Sequence, residues 1–587
     1  MRFGLVDEDR KILQLGAVQG EQFLSLILAG LLEQEQPEAL DDRLQKVIEQ
    51  HRIINYCNGD EWTKERSETY TFEHILMQQA FYNKLSPFRR RRYHRRVAEL
   101  LERMLSEQPN PLRKLVLEVA HHYDHERGDE PLSAAQYYYQ AAQSSFADGA
   151  FVETADLCQQ ALENLRTLAP EGAGRDRLQV EIIQLLLIAS ETRWRGKPGP
   201  RGELSVLALV GEAEAAASRT GERALLAQVK LIKGRVLVAT GSVIQALQSM
   251  QEALDLACAS GDPLAEFTVL SVYGHQKNKE NLAQGLALLY QAHDLYEQRL
   301  KPAHARLPPV VVSRSLHRLQ GALGVGEFDR GQYDVALGWL QESIAGLKRL
   351  NMHDDLLIML NFLGQLYAAM GLFERARDAL DEAIALLKDE QEPHPWNGYN
   401  LALLGKLYLE WGRVQDAAEP LQQGWRETQA TWQVDLATLV RNYYAELLMQ
   451  PGYAGHDLVE AERLLAANAQ ESQANGLHRS TIAALSLRGR LALARGDTTA
   501  ALRYSTAAVD SLEEKGTMPA LRTEEVLFNQ YRVLQAAGLG DQARDYLARA
   551  YATLQQKADG IKNEDDRWAF LERVPTSRAI RVALGPV

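Results

Sequence analysis

Residues 361–388 read NFLGQLYAAMGLFERARDALDEAIALLK, and this stretch decides the fold. Apolar residues recur every three or four positions in both halves, which predicts two amphipathic helices. Gly371 separates the halves and suits the end of the first helix, because glycine adopts a positive φ without a Cβ clash. The small side chains of Ala376 and Ala383 leave room for close approach where the two helices cross. The stretch therefore predicts one helical hairpin.

The spacing of a turn glycine and a small residue five positions later recurs from about residue 110 onward. The clear pairs are Gly149/Thr154, Gly241/Ala246, Gly331/Ala336, Gly371/Ala376, Gly412/Ala417, Gly496/Ala501 and Gly538/Ala543. Successive turns from Gly331 are 40 and 41 residues apart, and the next gap of 84 residues leaves room for one degenerate repeat near Pro451. Gly/Pro-rich loops are predicted at residues 169–175 and 195–202. The chain is therefore predicted to be an array of hairpins.

The hairpin pattern resembles the tetratricopeptide repeat (TPR), although each unit is about six to eight residues longer than the standard repeat. We expect the residues on its signature positions to pack the two helices of a hairpin together. These repeat-packing residues are Gly364, Tyr367, Gly371, Ala376, Ala383, Gly405, Tyr408, Gly412, Ala417, Gly496, Ala501, Gly538 and Ala543. The resemblance implies an all-α, superhelical solenoid of long TPR-like hairpins.

Composition agrees with such an array. A chain of 587 residues exceeds what one core supports, whereas a solenoid packs each repeat only on its neighbours. The net charge of −13 argues against a chain-wide nucleic-acid or anionic-membrane surface. No apolar run reaches the length of a membrane span, and no signal peptide is evident. Three cysteines without a CxxC pair indicate reduced thiols in a cytoplasmic protein.

Residues 1–84 follow a different pattern. Helices are predicted at 9–16, 21–32 and 40–50, strands at 52–56 and 70–72, and further helices at 73–85 and after Pro87. Three helices followed by a two-stranded hairpin is the order of a winged helix-turn-helix. We therefore predict a small winged-helix domain at the N-terminus.

Four segments carry a second resemblance: KILQLGAVQGEQF (11–23), YTFEHILMQQAFYNKLSPFRRRRYHRRVAELLE (70–102), VAHHYDHERGDEPLSAAQYYYQAA (119–142) and WAFLERVPTSRAI (568–580). They are similar to the part of bacterial STAND ATPases (signal-transduction ATPases with numerous domains) that follows the nucleotide-binding domain. In that family an ATPase domain precedes a winged helix and a TPR-like sensor. The resemblance is detailed over roughly the first 165 residues and persists beyond them as repeats.

The resemblance implies an ATPase domain that this sequence lacks. It contains no GxxxxGK[ST] phosphate loop, since the pairs Gly196-Lys197 and Gly405-Lys406 lack the flanking residues. We therefore expect no cofactor in this chain, and ADP or ATP only through a nucleotide-binding domain supplied in cis or in trans. His74 resembles the histidine of the family's MHD-like motif, which contacts the ADP phosphate in the resting state. Its alternative role is capping or packing.

Two other groups of residues have a functional and a plain interpretation. His121 and His125 lie one helical turn apart, which suits a metal pair, but no further ligands are evident and packing is favoured. The arginines of residues 88–96 suit a phosphate contact, but acidic neighbours favour a solvated helix face. The third helix carries more acidic than basic residues, which argues against insertion into the major groove.

The predicted organisation is a winged-helix-like domain (1–84), a helical arm with the first TPR-like hairpin (85–165), irregular repeats (166–320), regular repeats (321–560) and a capping segment (561–587). The function expected is that of a non-catalytic sensor and scaffold in STAND-type signal transduction. Its concave face would bind a protein, peptide or small effector, with no membrane and no nucleic acid. The alternatives are a winged-helix DNA-binding transcription regulator and a stand-alone TPR adaptor.

Overall fold

The computed structural model describes residues 5–33, 37–58, 67–106, 113–125, 131–168, 172–190, 206–239, 242–303, 309–387, 396–429, 434–517 and 520–585. They belong to two compact units, Met1–Ser190 (unit 1) and Glu191–Val587 (unit 2). Helices form almost all of the regular structure in both units. The predicted all-α class is confirmed. The predicted loop at 195–202 and Gly241 lie outside the described residues.

Unit 1 begins with helices around a small sheet. Its elements in chain order are α1 (Asp7–Gln19), β1 (Gln22–Leu24), α2 (Ser25–Leu32), α3 (Pro37–His51), β2 (Ile54–Cys57), β3 (Thr69–Phe72), α4 (Ile75–Tyr82) and α5 (Pro87–Ser106). The strands lie in the order β1-β3-β2, and both pairings are antiparallel. The predicted β-hairpin is therefore present, with a third strand on the far side of β3.

The third strand corrects the sequence interpretation, which placed residues 21–32 in one helix. Gln22 to Leu24 pair with β3, and the helix begins only at Ser25. Phe23 is buried against the rings of Tyr70 and Phe72, with ring centroids 5.7 and 5.5 Å away. Burying this aromatic side chain against the sheet outweighs the helical periodicity of the stretch.

Antiparallel helices complete unit 1. They are α6 (Arg113–Asp124), α7 (Pro131–Ala147), α8 (Phe151–Leu168) and α9 (Ala173–Ala189). Neighbouring helices in this series pack on each other, with the closest association between α7 and α8. Helix α9 begins at Ala173, so residues 173–175 are helical where the sequence predicted a loop, and residues 169–171 lie outside the described residues.

Unit 2 consists of successive helical hairpins. Its first helices are α10 (Val206–Thr220), α11 (Arg223–Ala239), α12 (Val243–Ser260), α13 (Pro263–Asn278) and α14 (Leu282–Leu295), the last continued by a π-helical turn (Tyr296–Leu300). The next are α15 (Pro309–Arg330), α16 (Tyr333–Arg349), α17 (His353–Ala369), α18 (Phe373–Ala385), α19 (Asn397–Glu410) and α20 (Val414–Thr428). The last are α21 (Val434–Leu448), α22 (Leu458–Ala474), α23 (His478–Ala494), α24 (Thr498–Lys515), α25 (Thr523–Ala536), α26 (Gly540–Asp559), α27 (Glu564–Glu572) and α28 (Pro575–Leu584).

From α15 onward, an odd-numbered helix and the even-numbered helix that follows it form one hairpin. Each first helix from α15 to α23 also contacts the first helix of the next hairpin. The turn of the α17–α18 hairpin lies at Gly371, whose φ of 74° favours glycine over any residue with a Cβ. At the crossing of the two helices, a Cβ added to Gly364 would lie 2.8 Å from Leu380 Cγ. A TPR-like array therefore follows from the positions of small residues.

The C-terminal helices of unit 2 return to its middle hairpins. Phe570 on α27 packs edge-on against Tyr333 of α16, with ring centroids 5.7 Å apart. The Arg573 side chain donates to both carboxylate oxygens of Glu374 at 2.9 and 3.0 Å. The last turns of the chain are thus fixed to helices almost two hundred residues earlier.

A charged cavity as candidate functional site

The first helices of six consecutive hairpins (α15, α17, α19, α21, α23 and α25) line one cavity in unit 2, of about 140 Å³. Because these helices lie side by side, residues at equivalent positions in successive repeats meet around the same space. Tyr333 of α16, Leu380 of α18, Lys557 of α26 and the residues at 520–522 complete the lining. The volume is sufficient for several water molecules and below that of a drug-sized pocket.

Glu446 of α21 lies at the centre of the charged lining. Its two carboxylate oxygens accept from Lys406 Nζ at 2.5 Å and from Arg490 Nη1 at 3.0 Å. Burial alone would raise the pKa of Glu446, but the two cations outweigh it and hold that pKa at about 2. The carboxylate is therefore ionised at neutral pH and links three successive repeats.

Two more ion pairs lie at the side of the cavity nearer the C-terminus. Arg522 Nη2 is 2.7 Å from Glu410 Oε2, and Lys557 Nζ is 2.7 Å from Glu524 Oε2. Burial alone would lower the pKa of Lys557, but the charge of Glu524 raises it above its ordinary value. These cations are therefore already matched by carboxylates.

Arg479 of α23 differs from the other cations of the lining. Its Nη2 donates to the phenol oxygen of Tyr443 at 3.2 Å, and its guanidinium also bonds the hydroxyl of Tyr399. Asp329 is nearby and its Oδ1 accepts from the backbone N–H of Ala520 at 2.5 Å. Burial raises the pKa of Asp329 to about 7, although the Ala520 N–H opposes this shift, and its Oδ2 is buried without a hydrogen-bond partner among the described residues.

Buried amides continue the polar lining between repeats. Asn361 donates to the side-chain oxygen of Asn400 and accepts from Gln365 Nε2 at 2.7 Å. Asn442, one repeat further on, donates to the backbone carbonyl of Ser480 at 3.1 Å. The sequence analysis missed these residues. The signal it could have used is a polar residue that recurs about 40 positions apart inside stripes that are otherwise apolar.

The repeat-packing residues all lie in unit 2. Their alanines, which are buried, are Ala376, Ala383, Ala417, Ala501 and Ala543. Their turn glycines, with φ between 74° and 79°, are Gly371, Gly412, Gly496 and Gly538. Tyr367 and Tyr408 are half-buried against the core around them, and a Cβ added to Gly405 would meet Leu421. The structure therefore places these residues at turns and helix crossings, and one of them, Gly364, also lines the cavity.

His74 lies in unit 1 and not at the cavity. It is the residue that caps α4, and its Nδ1 accepts from the backbone N–H of Leu76 at 3.1 Å. Because Nδ1 accepts, the proton of the neutral ring lies on Nε2. The side chain is exposed. The described surroundings thus leave Nε2–H available as a donor to a group approaching the N-terminus of α4.

The histidine pair of α6 is held by hydrogen bonds. His121 Nδ1 is 3.0 Å from the Tyr138 hydroxyl, and His125 Nδ1 is 2.9 Å from the His121 carbonyl oxygen. His122, between them, shares a contact of 2.8 Å between Nδ1 atoms with His94 of α5. Among the described residues, no group of three or more His, Cys, Asp and Glu side chains is placed to hold a metal ion.

Several basic residues of the N-terminal region form ion pairs. Arg43 of α3 bonds Glu8 at 2.6 Å and Asp9 at 2.8 Å. The arginine run lies on α5, and Arg96 in it pairs with Glu99 at 3.2 Å.

None of the described helices combines the length and apolarity that a bilayer crossing requires.

Comparison with known proteins adds a family description to this geometry. Residues 312–574 match the MalT-like TPR region. Every residue that lines the cavity lies within this span. No curated protein matches the chain.

Similar solved structures include a Rap protein complexed with competence and sporulation factor, at 12% identity and a TM-score of 0.46, covering 74% of this chain and 99% of that one. A STAND protein with a tetratricopeptide repeat sensor from Pyrococcus horikoshii is 13% identical with a TM-score of 0.46 and covers 80% of this chain. This chain spans 64% of that protein's length. The Rap conjugation gene regulator of plasmid pLS20, in complex with the Phr* peptide, is 12% identical over 65% of this chain and 96% of that one, with a TM-score of 0.41.

Proposed function

We propose that this chain is the non-catalytic sensor and scaffold part of a STAND-type signalling protein, and that the charged cavity of unit 2 is its ligand site. The ligand is a protein, a peptide or a small effector that reaches the first helices of the hairpins, which line the cavity. The observation that carries the proposal is the cavity itself, because ionised groups from successive repeats converge there. The two Rap structures named above hold competence and sporulation factor and the Phr* peptide, respectively.

Blocking the cavity tests the proposal. Ala483 lines the cavity on α23, so Ala483→Phe fills it, whereas Ala474→Phe places the same ring on the exposed end of α22. A thermal-shift screen of a peptide library and a metabolite library is run on both variants and the wild type, and hits are measured by calorimetry. We expect hits that bind the wild type and Ala474→Phe alike and lose at least tenfold in affinity with Ala483→Phe. Hits that bind all three proteins equally would refute this site.

The nucleotide part of the proposal concerns His74. When a nucleotide-binding domain is present in cis or in trans, its Nε2–H donates to the ADP phosphate and stabilises the resting state. The capping geometry supports this role, because it orients the ring at a helix N-terminus, where anions are favoured. Ligand capture on the array would then release this contact and permit nucleotide exchange.

His74→Ala tests this contact when the nucleotide-binding domain is supplied in trans. A lost charge-assisted hydrogen bond of ~1.5–3 kcal/mol corresponds to roughly tenfold or more faster loss of ADP. In the chain alone the same change removes a helix cap and costs about 1 kcal/mol of stability. Equal ADP off-rates with and without His74 would reduce the residue to its capping role.

The DNA-binding alternative is disfavoured by one observation. Arg43 lies on the third helix, which would contact DNA bases, but it forms ion pairs with Glu8 and Asp9. The negative charge of these two carboxylates opposes contact with DNA phosphates. A gel shift at moderate salt distinguishes the two functions. The stand-alone adaptor differs only in having no ATPase partner, which the neighbouring open reading frame would reveal.

A further inference from the structure

We propose that the cavity of unit 2 binds a single carboxylate group, with Arg479 as its principal donor. This inference rests on the proposed function, since it names the chemistry of the ligand for the same cavity. It concerns one end group of the ligand, because about 140 Å³ is too small for a whole drug-sized molecule.

The pairing of the lining cations singles out Arg479. Lys406, Arg522 and Lys557 each lie within 2.7 Å of a glutamate oxygen. Arg479 forms no ion pair among the described residues and bonds the neutral hydroxyls of Tyr443 and Tyr399 instead. A guanidinium has five N–H donors in a planar fork that matches a carboxylate. It is therefore the cation of this cavity with donors left for a ligand.

The charge balance of the lining favours a monoanion. Four cations face the cavity, against three glutamates, Glu410, Glu446 and Glu525, and Asp329. Their ion-pair partners outside the lining, Arg490 and Glu524, carry opposite charges and cancel. When Asp329 is protonated, the described lining carries one positive charge in excess. One carboxylate neutralises that charge, whereas a phosphate dianion would leave an excess negative charge in a poorly hydrated space.

Asp329 supplies a second donor. Its Oδ1 is held by the Ala520 N–H, so in the protonated acid the hydroxyl is on Oδ2, the atom that is buried without a partner. The charged groups that face Asp329 are Arg479 of α23 and Lys557 of α26, and both remain charged throughout the neutral range. Binding of a carboxylate should therefore strengthen as pH falls below about 7, where the acid is protonated.

The experiment measures binding of matched acids and amides at pH 6.5 by calorimetry. The probes are acetyl-trialanine with a free C-terminus and its amide, hexanoate and hexanamide, and inorganic phosphate. We expect at least one acid to bind at least tenfold more tightly than its amide, and to bind more weakly at pH 8. The peptide acid alone would identify a peptide C-terminus, and hexanoate alone a small carboxylic acid.

Variants assign the effect to Arg479. Arg479→Met should reduce acid binding at least tenfold, and Arg479→Lys, which keeps the charge and lacks the fork, should give an intermediate loss. Arg463→Met removes an arginine from the exposed surface of α22 and should leave binding unchanged. Circular dichroism verifies that each variant is folded, and if the methionine variant unfolds, the lysine variant decides.

Acids and amides that bind equally, no binding of any acid, or binding of phosphate alone would each overturn the inference. So would acid binding that survives Arg479→Lys undiminished. Failure here is separable from failure of the proposed function. Library ligands that are lost with Ala483→Phe but kept with Arg479→Met leave the cavity as the ligand site and exclude the carboxylate contact.

Discussion

Gly405 offers a direct test of how closely the helices of one hairpin approach. It lies on α19 and faces α20, where an added Cβ would collide with Leu421 and would lie 3.0 Å from the Ala417 carbonyl oxygen. Leu421 is fully buried and cannot move aside into solvent. Gly405→Ala must therefore separate the two helices or distort the Leu421 side chain.

The expected magnitude combines two opposing effects. Overpacking a well-packed core costs ~1–3 kcal/mol, whereas alanine gains ~0.5–1 kcal/mol over glycine inside a helix. The net change for Gly405→Ala is a loss of about 0.5–2 kcal/mol. Gly338→Ala is the matched control, because Gly338 lies on α16 with no atom within 4 Å of an added Cβ. Gly338→Ala should gain only the ~0.5–1 kcal/mol of stability that alanine contributes over glycine inside a helix.

Thermal and urea unfolding of the whole chain measure both variants beside the wild type. We expect the midpoint of Gly405→Ala to fall and that of Gly338→Ala to stay or rise. A Gly405→Ala protein as stable as Gly338→Ala would show that α19 and α20 do not approach as closely as described. The opposite signs of the two changes exclude an explanation from helix propensity.

Three further predictions use the buried ionisable groups. Glu446→Gln leaves Lys406 and Arg490 with only their longer ion pairs, to Glu410 at 3.5 Å and to Glu525 at 3.6 Å, and should cost ~1.5–3 kcal/mol in urea unfolding. Glu460→Gln on the surface should cost below ~1 kcal/mol. Because the pKa of Asp329 is raised to about 7 in the fold, the protonated side chain stabilises the folded state, and this contribution is lost as pH rises through about 7. The stability advantage of Asp329→Asn over the wild type should therefore grow from pH 4 to 7 and then level off. Burial lowers the pKa of His94 to about 3, and it also lowers the pKa of His122. Unit 1 should therefore lose stability as pH falls from 6.5 towards 3. In melting curves recorded at a series of pH values, His94→Asn should make this loss of stability with falling pH less steep.

The hairpin array was predictable from the sequence because its signals are local. A turn glycine such as Gly412 is recognisable because the backbone there has a positive φ, and a small residue such as Ala417 five positions later marks the crossing of the same two helices. Strand β1 was not predictable in this way. Its three residues repeat the apolar spacing of a helix start, and only the presence of β3, some fifty residues later, makes them a strand.

The charged cavity was not predictable because its partners belong to different repeats. Lys406 and Glu446 lie 40 residues apart, and Glu446 and Arg490 lie 44 apart. Each alone reads as a polar interruption of an apolar stripe. Only the stacking of the first helices places them together, so the register between repeats, which no local pattern specifies, determines the cluster.

The return of the last helices to the middle of unit 2 changes how that unit should fold and fail. In an open repeat array, stability is a sum of terms between neighbours, and folding can spread from any point. Here Arg573 meets Glu374 across 199 residues, and the backbone N–H of Lys562 donates to Asp334 across 228. A carbon added at the Gly371 turn would lie 2.6 Å from the Ala569 carbonyl oxygen, so that turn is seated against α27. The entropy of closing such long loops delays these contacts to the end of folding. Deleting the last two helices should therefore loosen the turns near Gly331 and Gly371, while the helices from α19 to α24 keep their neighbours.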